Sequence, residues 1–73
     1  MPKTAIPSTI GGRIRQVRVK RGQSQMDFAA DLECHPNLVC KWESGRHEPR
    51  LDTLAKIARL GGVTVGWLIN GEG

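Results

Sequence analysis

The chain has 73 residues, which allows one domain with a modest core and leaves little room for a catalytic cleft with a lid. Eleven Lys and Arg stand against seven Asp and Glu, and the formal net charge of +4 suits an anionic partner, nucleic acid first among them, while serving solubility equally well. No apolar run approaches membrane-spanning length, and Met1 to Ile6 lacks the apolar stretch of a secretory signal.

Residues 1–8 read as a flexible N-terminal arm, because Pro2 and Pro7 oppose helix and no hydrophobic period is visible. Residues 9–71 read as the folded domain and 72–73 as a tail. Ser8 or Thr9 can cap a first helix, in which Ile10, Ile14 and Val17 recur at spacings of four and three. Arg13, Arg15, Gln16, Lys20 and Arg21 fill the intervening positions, and Gly22 suits the C-terminal stop. Gly11 and Gly12 weaken the first turn by about 1 kcal/mol each relative to Ala. Ser24 opens a second helix with Asp27 three residues on, an acidic variant of the capping box, and Phe28, Ala29 and Leu32 form its apolar side. A third helix starts with Pro36 in its first turn, where the missing N–H costs nothing, and Gly45 stops it after Ser44. After the loop Arg46 to Pro49, Leu51, Leu54, Ile57 and Ala58 keep helical spacing until Gly61–Gly62. Thr64 caps a short fifth helix carrying Val65, Trp67, Leu68 and Ile69, closed by Asn70–Gly71. The expectation is an all-α, compact five-helix domain without strands.

Two helices joined by a tight turn, Gln25–Leu32 and Pro36–Ser44, have the layout of a helix-turn-helix, the second being the recognition helix. At about 100° per residue with Val39 at zero, Trp42 falls near 300° and Glu43 near 40°, which makes an inward face. Cys40, Ser44, Asn37 and Lys41 fall between about 100° and 200°, a polar outward strip. Asn can pair with adenine and Lys with guanine in the major groove, so the strip has the chemistry to read base edges. The same strip would also serve as an ordinary solvated helix face.

From Ile10 to Gly71 the chain resembles the phage repressor and Cro helix-turn-helix family. The resemblance rests on Ile10-Gly11-x-x-Ile14-x-x-x-Arg18, Ser24-Gln25, Phe28-Ala29 and Val39-x-x-Trp42-Glu43-x-Gly45. It continues through Pro49, Leu54-Ala55-x-Ile57-Ala58 and Val63-Thr64-Val65-x-Trp67-Leu68-Ile69-x-Gly71. It implies a lambda-repressor-like fold in which Pro36, Asn37, Cys40 and Lys41 contact bases. Gln25, Ser44, Arg46, His47 and Arg50 are then expected at phosphates, the first of these at a helix N-terminus that suits an anion. Arg18 and Glu43 match the family's structural ion pair, and Trp67 and Ile69 lie where its members pair into dimers. The implied protein is a cytoplasmic, prokaryotic or phage-encoded regulator of transcription, more a repressor than an activator, that binds an inverted-repeat operator in double-stranded DNA as a homodimer. Two departures stand out. Glu33 occupies a turn position where the family favours Gly, often at positive φ, and Gly61 stands where it has a large apolar residue, which implies thin packing at the end of the fourth helix.

Competing chemistries are weaker. Cys34, His35, Cys40 and His47 match no standard zinc spacing, and no metal, cofactor or small-molecule ligand is expected. Cys34 and Cys40 lie six apart, on different helix faces, and read as reduced thiols; Cys40 near Lys41 could sense oxidants, though a small side chain packing on a thymine methyl explains it as well. Trp42 and Trp67 read as core residues before stacking platforms. No nucleophile, base and acid converge, so an enzyme is not expected. The alternative from another class is a protein-interaction module, such as an antitoxin or adaptor, on the same fold.

Overall fold

The computed structural model describes residues 7–72, so the expected flexible arm lies outside the described residues over positions 1–6, as does Gly73 of the tail. Five helices follow in chain order: α1 (Ile10–Lys20), α2 (Gln25–Leu32), α3 (Pro36–Ser44), α4 (Leu51–Gly61) and α5 (Val65–Asn70). No strand occurs among the described residues.

Each helix begins where its sequence supplies a side-chain acceptor, with one exception. Thr9 Oγ1 accepts from Gly12 N at 2.9 Å, Ser24 Oγ from Asp27 N at 3.0 Å and Thr64 Oγ1 from Trp67 N at 2.9 Å. At α3 the cap is His35, whose Nδ1 accepts from Asn37 N at 3.0 Å. At α4 the cap is Arg50, which makes no side-chain capping bond; the helix relies instead on its amphipathic packing and on Asp52 in the first turn.

The core is built from one face of every helix. Ile14, Phe28, Ala29, Val39, Ile57 and Leu68 are fully buried, with Val17, Leu32, Trp42, Leu54 and Ala58 around them. Helix α3 packs on both α1 and α2, α1 also meets α4 and α5, and α2 reaches α4, so α1 and α3 together tie the five helices into one body. Leu51, expected on the apolar face of α4, is largely exposed. It sits at the first position of the helix, one turn beyond Leu54, where the core has already ended.

Two sequence expectations change at α1. Gly11 does not merely weaken a first turn: a Cβ there would collide with the carbonyl oxygen of Trp42 and sit 3.1 Å from the Glu43 backbone. Glycine at this position lets α1 and α3 approach backbone to backbone. At Gly61 the expected thin packing is seen as a cavity of about 260 Å³ lined by Val17, Leu60, Gly61, Val63 and Trp67, although a Cβ on Gly61 itself would fall 2.8 Å from Cγ1 of Val17. Arg13, read as one of the polar positions between apolar ones, is 5% exposed. Its Nε donates to the carbonyl of Leu68 at 2.7 Å, its Nη2 to that of Ile69 at 2.7 Å and its Nη1 to that of Pro7 at 2.5 Å. The carbonyl end of α5 needs donors, and a guanidinium supplies several in one plane.

Candidate nucleic-acid interface

The turn between α2 and α3 is the local feature on which the site depends. Glu33 ends α2 at φ 57° and ψ 44°, the left-handed conformation that the resemblance implied for this position. Its N–H bonds back to Ala30 O at 3.1 Å, and Cys34 N to Ala29 O at 3.0 Å, a closing pattern that spends the last carbonyls of α2. Ala29 beneath the turn is fully buried. Its methyl is small enough for α3 to cross close above α2.

Helix α3 then presents the two faces expected of it. Val39 is fully buried and Trp42 nearly so, while Glu43 is half-buried toward α1. Asn37, Cys40 and Ser44 are exposed, and Lys41 and Pro36 are half-buried along the same side. The Asn37 side chain makes no hydrogen bond to the described protein, whereas Ser44 Oγ donates to the carbonyl of Lys41 at 3.2 Å. An exposed amide, an ammonium and a thiol therefore stand on one strip of a helix that is fixed from behind.

That fixing is electrostatic as well as apolar. Arg18 Nε donates to Glu43 Oε2 at 2.7 Å and Nη2 to Oε1 at 3.1 Å, a two-pronged pair with only 13% and 6% of the two side chains exposed. A third Arg18 donor, Nη1, reaches the carbonyl of Gln23 at 2.8 Å. The hydrogen bond to Glu43 raises the Arg18 pKa above its ordinary value against the opposing effect of burial, so the guanidinium is held charged. Gln25 joins the cluster: its Nε2 donates to Glu43 Oε1 at 3.1 Å. The side chain expected at a phosphate is thus occupied within the protein. Of the first-turn N–H groups of α2, that of Asp27 is already taken by Ser24 Oγ at 3.0 Å.

Beyond α3, Arg46, His47 and Arg50 are all exposed on the loop leading to α4. Arg50 lies 4.0 Å from Asp52 with both side chains mostly in water, a contact too loose to hold it. Arg46 and Arg50, with His47 between them, follow the C-terminal end of the α3 strip. Trp67 and Ile69 lie elsewhere, on α5, the first half-buried and the second 44% exposed. Cys34 is half-buried beside the core and Cys40 exposed, and neither is in a disulfide; burial pushes the Cys34 thiol up. Among the described residues no three His, Cys, Asp or Glu side chains gather as a metal site would require. No helix there is long and apolar enough to cross a membrane. Sequence reasoning missed Arg13 and the seat of Gln25 on Glu43, and no local spacing in the chain signals either.

Two short helices crossing through a left-handed turn, with a solvent-facing polar strip on the second, define a helix-turn-helix unit. The helix-turn-helix family profile matches residues 14–68, and the chain belongs to that family, in its phage repressor and Cro branch. Among curated proteins it is 34% identical over 61 residues to the SPbeta prophage-derived HTH-type transcriptional regulator YonR of Bacillus subtilis, covering 84% of this chain and 56% of that one. It is 31% identical over 58 residues to the cryptic phage CTXphi transcriptional repressor RstR of Vibrio cholerae, covering 80% of this chain and 52% of the repressor. In fold it is similar to the P22 c2 repressor protein, solved in complex with a synthetic operator, with a TM-score of 0.83 at 21% identity over 90% of this chain and 100% of that one. The chain spans between 29% and 56% of the length of the curated relatives it matches.

Proposed function

We propose that this protein is a sequence-specific DNA-binding regulator of transcription, acting as a repressor, that lays α3 in the major groove of an operator. The observation that carries the reading is the outward polar strip Asn37, Cys40, Lys41 and Ser44 on a helix braced by Arg18 and Glu43. Asn37 and Lys41 read base edges, and Pro36 and Cys40 pack beside them. The first turn of α2 at Gln25, together with Ser44, Arg46, His47 and Arg50, holds the flanking phosphates. Two copies pair through Trp67 and Ile69 of α5, so the operator is an inverted repeat with half-sites about one helical turn apart. The cellular setting is the cytoplasm of a prokaryote, with the gene of phage or bacterial origin, and no catalytic activity accompanies binding.

Selection of duplexes from a random double-stranded library at near-physiological salt tests this directly. The expected product is an inverted repeat, and Asn37→Ala combined with Lys41→Ala should abolish its specific recognition. Unchanged operator affinity in that double mutant would remove the base readers from this strip.

A second reading is favoured by one feature. Leu38, Trp42 and Pro49 form the apolar part of a groove between α3 and α4 that His47, Glu48, Arg50 and Thr53 complete, and Leu51 is exposed at the start of α4; such a surface suits a protein partner. Salt separates the two: binding through several phosphates weakens steeply as salt rises, and an apolar protein interface does not.

A further inference from the structure

Arg13 is buried, charged, and without a carboxylate partner among the described residues. A guanidinium in that setting is costly to bury and needs its donors filled. Each of its three nitrogens donates to a main-chain carbonyl: Leu68 and Ile69 at the end of α5, and Pro7 just before α1. Helix α5 has only six residues, too few to be stable alone, and its carbonyl end carries partial negative charge. Its own C-terminal bond is a single one, Gly71 N to Trp67 O at 2.7 Å. Arg13 therefore closes α5 from within α1.

The opposite side of the same turn of α1 is fastened to the recognition helix. Gly11 lies against the backbone of Trp42 and Glu43, and residues 11 and 13 are about 200° apart around the helix. One turn of α1 thus joins α3 on one side to α5 on the other, with backbone contact at one end and a planar cluster of hydrogen bonds at the other. We infer that Arg13 is the positioning residue that fixes the angle of α5 relative to α3, and through it the distance between the two recognition helices when two copies stand on DNA. The inference rests on the pairing through α5 proposed above. Arg13 itself touches neither DNA nor the second copy.

The test compares the full chain with Arg13→Met and Arg13→Lys on duplexes built from the selected half-site, one half-site alone and two at a series of spacings. Amide hydrogen exchange on the free proteins is the companion measurement. Wild type should prefer one spacing. Arg13→Met should bind the single half-site within about twofold of wild type and lose about tenfold or more on the paired site, the scale of one lost charge-assisted bond. Its spacing preference should broaden, and exchange should rise across residues 67–72 while α3 stays protected. Arg13→Lys keeps the charge but not the planar fork and should fall between the two; it carries the test if Arg13→Met does not fold. Equal losses on single and paired sites would make Arg13 a general stabiliser and overturn the inference. So would an Arg13→Met variant indistinguishable from a wild type that prefers one spacing. A wild type with no preferred spacing sinks the pairing through α5 and this inference with it.

Discussion

At the scale of single residues, two opposing rules meet at Gly11. Helix propensity says that Ala in place of Gly stabilises by about 1 kcal/mol. The structure puts the added methyl into the Trp42 carbonyl, and overpacking of that kind costs about 1–3 kcal/mol. Because the obstacle is backbone, not a side chain free to swing away, the clash should win. Gly11→Ala is expected to lower the thermal midpoint, and a raised midpoint would mean that α1 and α3 are less tightly apposed than described. Asp31 gives a residue-scale expectation with a different sign. The Gln23 amide, donating at 2.8 Å, and then Arg21 hold its pKa below the ordinary value. The fold prefers the ionised form, so this contribution is complete above the usual carboxylate range and is lost as pH falls through the depressed folded pKa. Asp31 is 41% exposed at the side chain, so the effect is small. Stability measured by denaturant titration between neutral and acid pH should fall less steeply in Asp31→Asn than in wild type, and identical slopes would show that the Gln23 and Arg21 contacts do not persist in solution.

At the scale of elements, the α2–α3 turn carries a cost at Glu33. A non-glycine residue in the left-handed region gives up about 1–2 kcal/mol relative to one without a Cβ, part of which glycine returns as chain entropy in the unfolded state. Glu33→Gly should therefore stabilise the protein by up to about 1 kcal/mol. It should also tighten DNA binding, since a carboxylate beside α3 repels phosphate. Glu33→Asn removes the charge while keeping a side chain tolerant of this conformation, so thermal melts and operator affinities of the two variants separate strain from repulsion. A destabilised Glu33→Gly would mean that the Glu33 side chain has a structural role not apparent in its exposed position. The helices themselves were legible in the sequence because their stops are chemical: Thr9, Ser24 and Thr64 cap, and Gly45, Gly62 and Gly71 close at positive φ. The outward strip of α3 was legible for a related reason, because a helical rotation fixes which residues oppose Val39. Arg13 was not legible, since its partners are main-chain carbonyls 55 and 56 residues away and a carbonyl leaves no mark in a sequence. Gly11 was misjudged because local propensity sees the missing side chain and not the neighbour that requires it to be missing.

At the scale of the whole molecule, the two cysteines report on which surface is engaged. Cys40 is exposed on α3, whereas Cys34 is half-buried and burial holds its thiol in the protonated, less nucleophilic form. Mild alkylation followed by mass spectrometry should label Cys40 first in the free protein. Selected operator duplex should then protect Cys40, and unchanged labelling under saturating duplex would place the DNA on another face. The same division between surface and interior has a consequence for how such proteins diversify. Asn37 and Cys40 are exposed, and Ser44 bonds only to its own helix, while the ion pair and the close glycine contact that hold α3 lie on its other side. Changes along the outward strip therefore leave the fold's own interactions intact. On the reading proposed above, new operator preferences can arise by drift at three or four positions, one at a time, without compensating mutations elsewhere in the chain.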